Sequence, residues 1–172
     1  MSEALQTRDT WIRVCAARQE LELRQGFRCL LRLPVSTARN GLGERNGSGR
    51  TPRGWHCIRA RIGAECPPAA VFVGRRWTGE IWTPELQARQ PERDWILSRI
   101  LWLSGLEPGF NRLGDVDTMR RFIYFHGCPD TEPMGRPLSH GCIRLRNDAV
   151  ITLHDRVPVG TRVWIGEGEP AS

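Results

Sequence analysis

Residues 122–145 read FIYFHGCPDTEPMGRPLSHGCIRL, and how this stretch is read decides the rest of the chain. Phe122-Ile123-Tyr124-Phe125 is an apolar, aromatic run of strand length that delivers His126 at its end. A Pro- and Gly-rich loop follows, and Ser139-His140-Gly141-Cys142 then feeds Ile143-Arg144-Leu145. Histidine and cysteine in a Gly/Pro-flanked segment pack poorly as core and suit a site.

The residue types point to a thiol nucleophile. An unperturbed cysteine has a pKa of about 8.5, so only a few per cent is thiolate at neutral pH. A neighbouring imidazole can take the proton, and His126 is far enough from Cys142 in sequence to fold back across the loop. The Gly127 carbonyl could orient that imidazole by accepting its other ring proton. The oxyanion formed on an attacked carbonyl needs donors, and the backbone N–H groups of Gly141 and Cys142 are the candidates, with glycine permitting close approach. Two other readings use the same residues. Any one of His126, His140 and Cys142 could be structural. Alternatively His126-Gly127-Cys128 and His140-Gly141-Cys142 form two H-x-C pairs, a legitimate zinc donor set. Structural zinc pairs take C-x₂₋₄-C or H-x₃₋₅-H spacing, so this doubled pattern points away from metal, and no cofactor is called for.

Working outward, short strand-length segments dominate. Trp11 to Ala16 reads as a strand, and Leu21–Arg24 and Cys29–Leu33 flank a turn at Gln25-Gly26. His56 to Ile62 alternates Ile58, Ala60 and Ile62 against Arg59 and Arg61, the period-2 signature of a half-buried strand. Val71–Val73, Trp95–Leu103 and Thr161–Ile165 complete the set. Helical signals are few: Asn147 to His154, with Asn147 as N-cap and Pro158 and Gly160 beyond its end, and a short turn from Thr83 with Pro84 at the first position. Ser36–Gly54 and Gly105–Asp117 are long loops of the kind that are either functional or mobile. The fold class is mainly β with one or two short helices.

At 172 residues the chain suits one domain able to bury about 70% of its unfolded surface. We expect a tail over 1–10, one catalytic domain over 11–166 and a second tail over 167–172. Apolar residues make up 40% and charged residues 26%, a globular composition rather than a membrane or disordered one. The first ten residues are polar and mixed in charge, with no apolar h-region, so the expected location is cytoplasmic, without membrane partners. In that setting the six cysteines should be free thiols, with Cys15, Cys29 and Cys57 acting as small apolar strand residues. The net charge of +6 comes from arginines scattered along the chain. No dense basic run or aromatic RNA-binding motif accompanies them, so nucleic acid is not the expected partner.

His126, the loop after it and Ser139-His140-Gly141-Cys142-Ile143-Arg144 resemble the signature of the L,D-transpeptidase catalytic domain, the YkuD family. Pro34-Val35-Ser36-Thr37, Thr51-Pro52-Arg53-Gly54 and Val157–Ile165 resemble further segments of that family, so the likeness runs from about Trp11 onward. It departs at Ala38-Arg39-Asn40 and at Cys128, where the family commonly has glycine and threonine. The resemblance implies a β-sandwich-like fold and a peptidoglycan stem peptide or muropeptide as substrate. The implied reaction is attack at the L-centre of the third residue, usually diaminopimelate, with loss of the terminal D-Ala. It implies Cys142 as nucleophile, His126 as base, Gly127 as orienting carbonyl, Gly141 with Cys142 as oxyanion donors, and Ser139 and His140 shaping the site. Arg144 is the expected contact for a substrate carboxylate, unless it merely faces solvent. Inhibition by carbapenem-type β-lactams is a further implication. Water as acceptor gives an L,D-carboxypeptidase of murein recycling, which is the expected activity. An amine acceptor gives 3→3 cross-links, and a non-catalytic module binding wall fragments is a third reading.

Overall fold

The computed structural model describes residues 10–170. Ten strands form one hydrogen-bonded sheet, joined by two helices. The strands are β1 (Thr10–Cys15), β2 (Glu20–Gln25), β3 (Arg28–Pro34), β4 (Gly54–Ile62), β5 (Ala70–Val73) and β6 (Arg76–Ile81). Then come α1 (Pro84–Arg89), β7 (Ile96–Gly105), β8 (Tyr124–Gly127), β9 (Ile143–Leu145), α2 (Asn147–Arg156) and β10 (Arg162–Gly166). The main path runs β3-β2-β1-β10-β4-β7-β5-β6, and β8 branches from β7 and carries β9.

The alternation legible in the sequence does its physical work in β1, in β10 and at Ile58 of β4, beyond which a bulge between Ile58 and Ala60 places Ile62 against a second core cluster with Ile100 and Tyr124. Ile12 and Val14, Ile58, and Val163 and Ile165 are fully buried on one face of this part of the sheet. There they meet Ala149, Val150 and Leu153 of α2 and Ile123, Phe125, Ile143 and Leu145 of the β8–β9 branch in a single core cluster. Each large aliphatic side chain buried there is worth about 1.5–3 kcal/mol relative to exposure, which makes this cluster the main support of the branch.

Four details differ from the sequence reading. The strand expected from Phe122 begins at Tyr124, because Phe122 sits at φ 56° and cannot join the ladder. Asn147 is not an N-cap: Arg146 holds that position, and the Asn147 side chain instead donates to Cys128 O at 3.0 Å. Thr83 does cap α1, accepting from Leu86 N–H at 3.1 Å. The expected C-terminal tail from 167 is tied to the sheet: Arg13 donates twice to Gly168 O, and Glu169 pairs with Arg13 and Arg24. Of the N-terminal tail, residues 1–9 lie outside the described residues, and Thr10 already belongs to β1.

Candidate active site

β8 is the positioning element. It pairs antiparallel with β7, setting Ile100 opposite His126 and Trp102 opposite Tyr124. On its other edge it runs parallel to β9, with Phe125 opposite Ile143 and His126 opposite Arg144. The period of two sends Ile123 and Phe125 into the core, and leaves Tyr124 and His126 on the other face, beside Cys142. Cys142 immediately precedes β9, so the same register brings its thiol against Tyr124: Sγ accepts from Tyr124 N–H at 3.3 Å and donates to Phe122 O at 3.3 Å.

His126 is buried, and its Nδ1 lies 2.7 Å from Gly127 O. A carbonyl only accepts, so Nδ1 carries the proton and Nε2 is left with a lone pair. Burial pulls the imidazole below its ordinary value, assisted by Arg144 and opposed by the Gly127 carbonyl and Asp94. Burial also pushes the Cys142 thiol up to about 12, with Asp94 adding to the rise while the Tyr124 N–H, Arg144 and Arg121 oppose it. Both shifts favour the uncharged thiol and the uncharged imidazole over an ion pair. Among the described residues no hydrogen bond joins them in this state, because the thiol proton is directed at Phe122 O.

The loop before Cys142 is built from hydrogen bonds that the sequence does not reveal. Ser139 Oγ donates to Cys142 O at 2.5 Å and accepts from Gly141 N–H at 3.2 Å. The expected pair of oxyanion donors is thus not free as a pair here, since the Gly141 N–H is engaged by Ser139. Gly141 itself sits at φ 137°, a conformation that favours glycine. Thr51 Oγ1 donates to Gly141 O at 2.8 Å and accepts from Ala38 N–H at 2.9 Å. Ser36 exchanges backbone hydrogen bonds with Arg144, and Thr37 O accepts from Ser139 N–H. Ser36, Thr37, Ala38 and Thr51 are all buried. The ends of the long loop between β3 and β4 are therefore scaffold for the site. Gly127 is equally constrained, because a Cβ there would lie 2.5 Å from Asn147 Oδ1 and 2.7 Å from Leu97 O.

Cys142, His126 and Ser139 line a cavity of about 430 Å³. A second cavity of about 280 Å³ adjoins it, lined by Arg39, Trp95, Cys128 and Leu138 among others. Asp94, His140 and Arg144 line both. His140 is exposed, with Nδ1 4.0 Å from Asp94 Oδ1. Arg144 does not face open solvent: its side chain is 11% exposed, stands 3.9 Å from both Asp94 and Glu132, and donates to Leu138 O. Cys128 Sγ is buried and donates to Leu145 O at 3.4 Å, and burial pushes this thiol too up to about 12. The two H-x-C pairs do not converge, and among the described residues no three His, Cys, Asp or Glu side chains gather as a metal cluster.

Sequence reasoning missed Tyr124, Asp94, Arg121 and Arg75, all of which line the larger cavity. Tyr124 had a signal, since it stands two residues before His126 on a strand and so shares its face. Asp94 and Arg75 reach the cavity from distant segments, and Arg121, although it directly precedes Phe122, carried no periodicity or motif to mark it.

The YkuD family, described as the L,D-transpeptidase catalytic domain, matches residues 9–165. The putative L,D-transpeptidase YqjB of Bacillus subtilis is 44% identical over 57 residues, 33% of this chain and 31% of that protein. An L,D-transpeptidase structure from Mycobacterium smegmatis superposes with a TM-score of 0.55 at 18% identity, covering 92% of this chain and 58% of that one. The structure of LdtMt1 in complex with imipenem gives a TM-score of 0.55 at 17% identity, covering 92% and 59%. These matches reach only part of each relative, about a third of YqjB and under two thirds of the two structures. With 157 consecutive residues matched and the same architecture in the superposed structures, this chain belongs to the L,D-transpeptidase catalytic domain (YkuD) family.

Proposed function

We propose that this protein is a cysteine acyl-transfer enzyme that opens the bond between the L-centre of the third residue and the terminal D-Ala of a peptidoglycan stem peptide. The observation that carries the reading is the β8–β9 pairing. It sets Cys142 and a carbonyl-anchored His126, protonated at Nδ1, on the wall of one cavity.

Substrate replaces the thiol's resting contact. As the carbonyl carbon approaches, the S–H turns from Phe122 O toward Nε2 of His126. His126 takes the proton while Sγ bonds to carbon, and a general base in this role contributes about 10²–10⁴-fold. Its Nδ1–H stays on Gly127 O throughout, which stabilises the imidazolium that forms. The Cys142 N–H is the first candidate donor to the oxyanion, and Gly141 N–H joins it only if Ser139 releases it. His126 then returns the proton to the departing D-Ala nitrogen, leaving a thioester on Cys142. Ser139 holds the Cys142 carbonyl and so fixes the nucleophile's backbone. Arg144 forms the wall shared with the second cavity.

For the last step we propose water, which makes the enzyme an L,D-carboxypeptidase: Cys142 keeps part of its surface open to the cavity, so water can reach a thioester there. One observation favours an amine acceptor instead, namely the adjoining cavity beyond Asp94, His140 and Arg144, which offers room for a second peptide. A tetrapeptide stem mixed with excess acceptor amine and analysed by mass separates the two. Tripeptide and free D-Ala should dominate. A predominant 3→3 dimer would replace water by amine, and an unchanged tetrapeptide would overturn the catalytic reading altogether.

A further inference from the structure

Three arginines line the cavity at Cys142: Arg75, Arg121 and Arg144. They differ in what already occupies them. Arg121 is consumed by the scaffold, donating to Gly43 O, Glu44 O and Arg50 O and to Ser48 Oγ. Arg144 stands between two carboxylates, Asp94 and Glu132, each at 3.9 Å, and also donates to Leu138 O. Arg75 has neither kind of commitment. Its one hydrogen bond runs from Nη1 to the Tyr124 hydroxyl at 2.9 Å, a neutral partner, and no carboxylate pairs with it among the described residues.

Arg75 is nevertheless held firmly. It lies in the turn between β5 and β6 at φ 66°, an uncommon conformation for a residue with a Cβ. Its guanidinium stacks 4.8 Å from the Phe122 ring centroid and 5.0 Å from that of Trp102. Trp102 in turn meets Tyr124 edge-on at 6.0 Å. Phe122 and Tyr124 are the two residues whose backbone atoms hold the Cys142 thiol. The fork of Arg75 is therefore fixed relative to the sulfur through the same two residues, with most of its donors unspent. A planar guanidinium with spare N–H groups, immobilised on aromatic faces, is suited to bidentate capture of a carboxylate.

We propose that Arg75, not Arg144, receives the terminal carboxylate of the peptide whose bond Cys142 attacks, with Tyr124 and the Phe122 and Trp102 rings as its positioning residues. The inference rests on the acyl-transfer reading for the identity of that peptide. It adds that the enzyme selects substrates ending in a free carboxylate one residue beyond the reacting carbonyl, and that the β5–β6 hairpin supplies this selectivity.

The test is binding, so that it does not depend on turnover. Cys142→Ala protein is titrated calorimetrically with a tetrapeptide stem ending in free D-Ala and with the same peptide ending in D-Ala amide. The free acid should bind at least about 30-fold more tightly, the low end of the loss seen when one partner of a buried, hydrogen-bonded charge pair is removed. Adding Arg75→Met, which keeps the chain length, should erase that preference and leave amide binding nearly unchanged. Adding Arg144→Met instead should leave the preference in place. The amide comparison needs no second substitution, so a poorly folded Arg75 variant cannot obscure the first result. Equal binding of acid and amide, or a preference that survives Arg75→Met and disappears with Arg144→Met, would overturn the proposal. Turnover of the tetrapeptide by the parent protein, measured in parallel, reports separately on the acyl-transfer reading.

Discussion

The tripeptide His-Gly-Cys occurs twice, at 126–128 and at 140–142, and the two copies have opposite fates. In the first, histidine lies in a buried strand with its ring anchored on Gly127 O, while the buried Cys128 donates to Leu145 O. In the second, histidine is exposed at the lip of the cavities, while Cys142 opens into the larger one. The sequence is the same; the backbone is not. Gly127 lies within the β8 ladder and is packed against Leu97 and Asn147, whereas Gly141 sits at φ 137° in a turn closed by Ser139. A candidate site takes its base from one copy and its nucleophile from the other, because β8 and β9 are paired in register.

The sharpest way to break this comparison is to delete each thiol in turn. Cys142→Ala should abolish release of D-Ala from a tetrapeptide while leaving the fold intact, because no thioester can form. Cys128→Ala removes a buried thiol bonded to Leu145 O and should keep activity within about tenfold of the parent. Substantial turnover by the first variant, or loss of turnover in a well-folded second one, would reverse the assignment. The histidines should divide the same way with a smaller effect. His126→Ala should lower kcat by about 10²–10⁴-fold, while the exposed His140→Ala should cost less than about tenfold.

A finer test uses pH. Burial holds the His126 imidazole below its ordinary value, so the base stays deprotonated further into acid than a free histidine would. Activity should be fully present above about pH 6.5 and be lost only as the pH falls through the lowered value. A kcat/KM profile on the tetrapeptide should therefore place its acid limb below about 6.5. A limb at or above that value would show that His126 is not the titrating base.

How much of this could be read beforehand depends on where each contact comes from. β1 and β10 were legible because one face is buried and the alternation survives in the sequence, whereas in β4 a bulge between Ile58 and Ala60 puts Ile58 in the main core and Ile62 in the cluster with Ile100 and Tyr124. β6 was not legible, since Arg76 to Ile81 is nearly all exposed and has no buried face to leave a pattern. β9 is three residues long and is a strand only by virtue of its pairing with β8. Asn147 looked like a cap from its position, but its side chain finds a tertiary partner in Cys128 O. That Cys142, His126 and Gly127 would come together was legible because they share one short segment. The role of Ser36, Thr37 and Thr51 was not, because it consists of hydrogen bonds across about a hundred residues of chain. Arg75 was hidden for the same reason: what marks it is the lack of a carboxylate partner, which only the packed structure reveals.

Of two chemically identical thiols, each pushed up to about 12 at rest, we propose that Cys142 alone is the one His126 activates. Incubation with imipenem, followed by proteolysis and mass mapping of every cysteine, tests it most directly. A single covalent adduct is expected on Cys142, absent in Cys142→Ala and strongly slowed in His126→Ala. An adduct on Cys128, or no adduct on a folded parent protein, would contradict it.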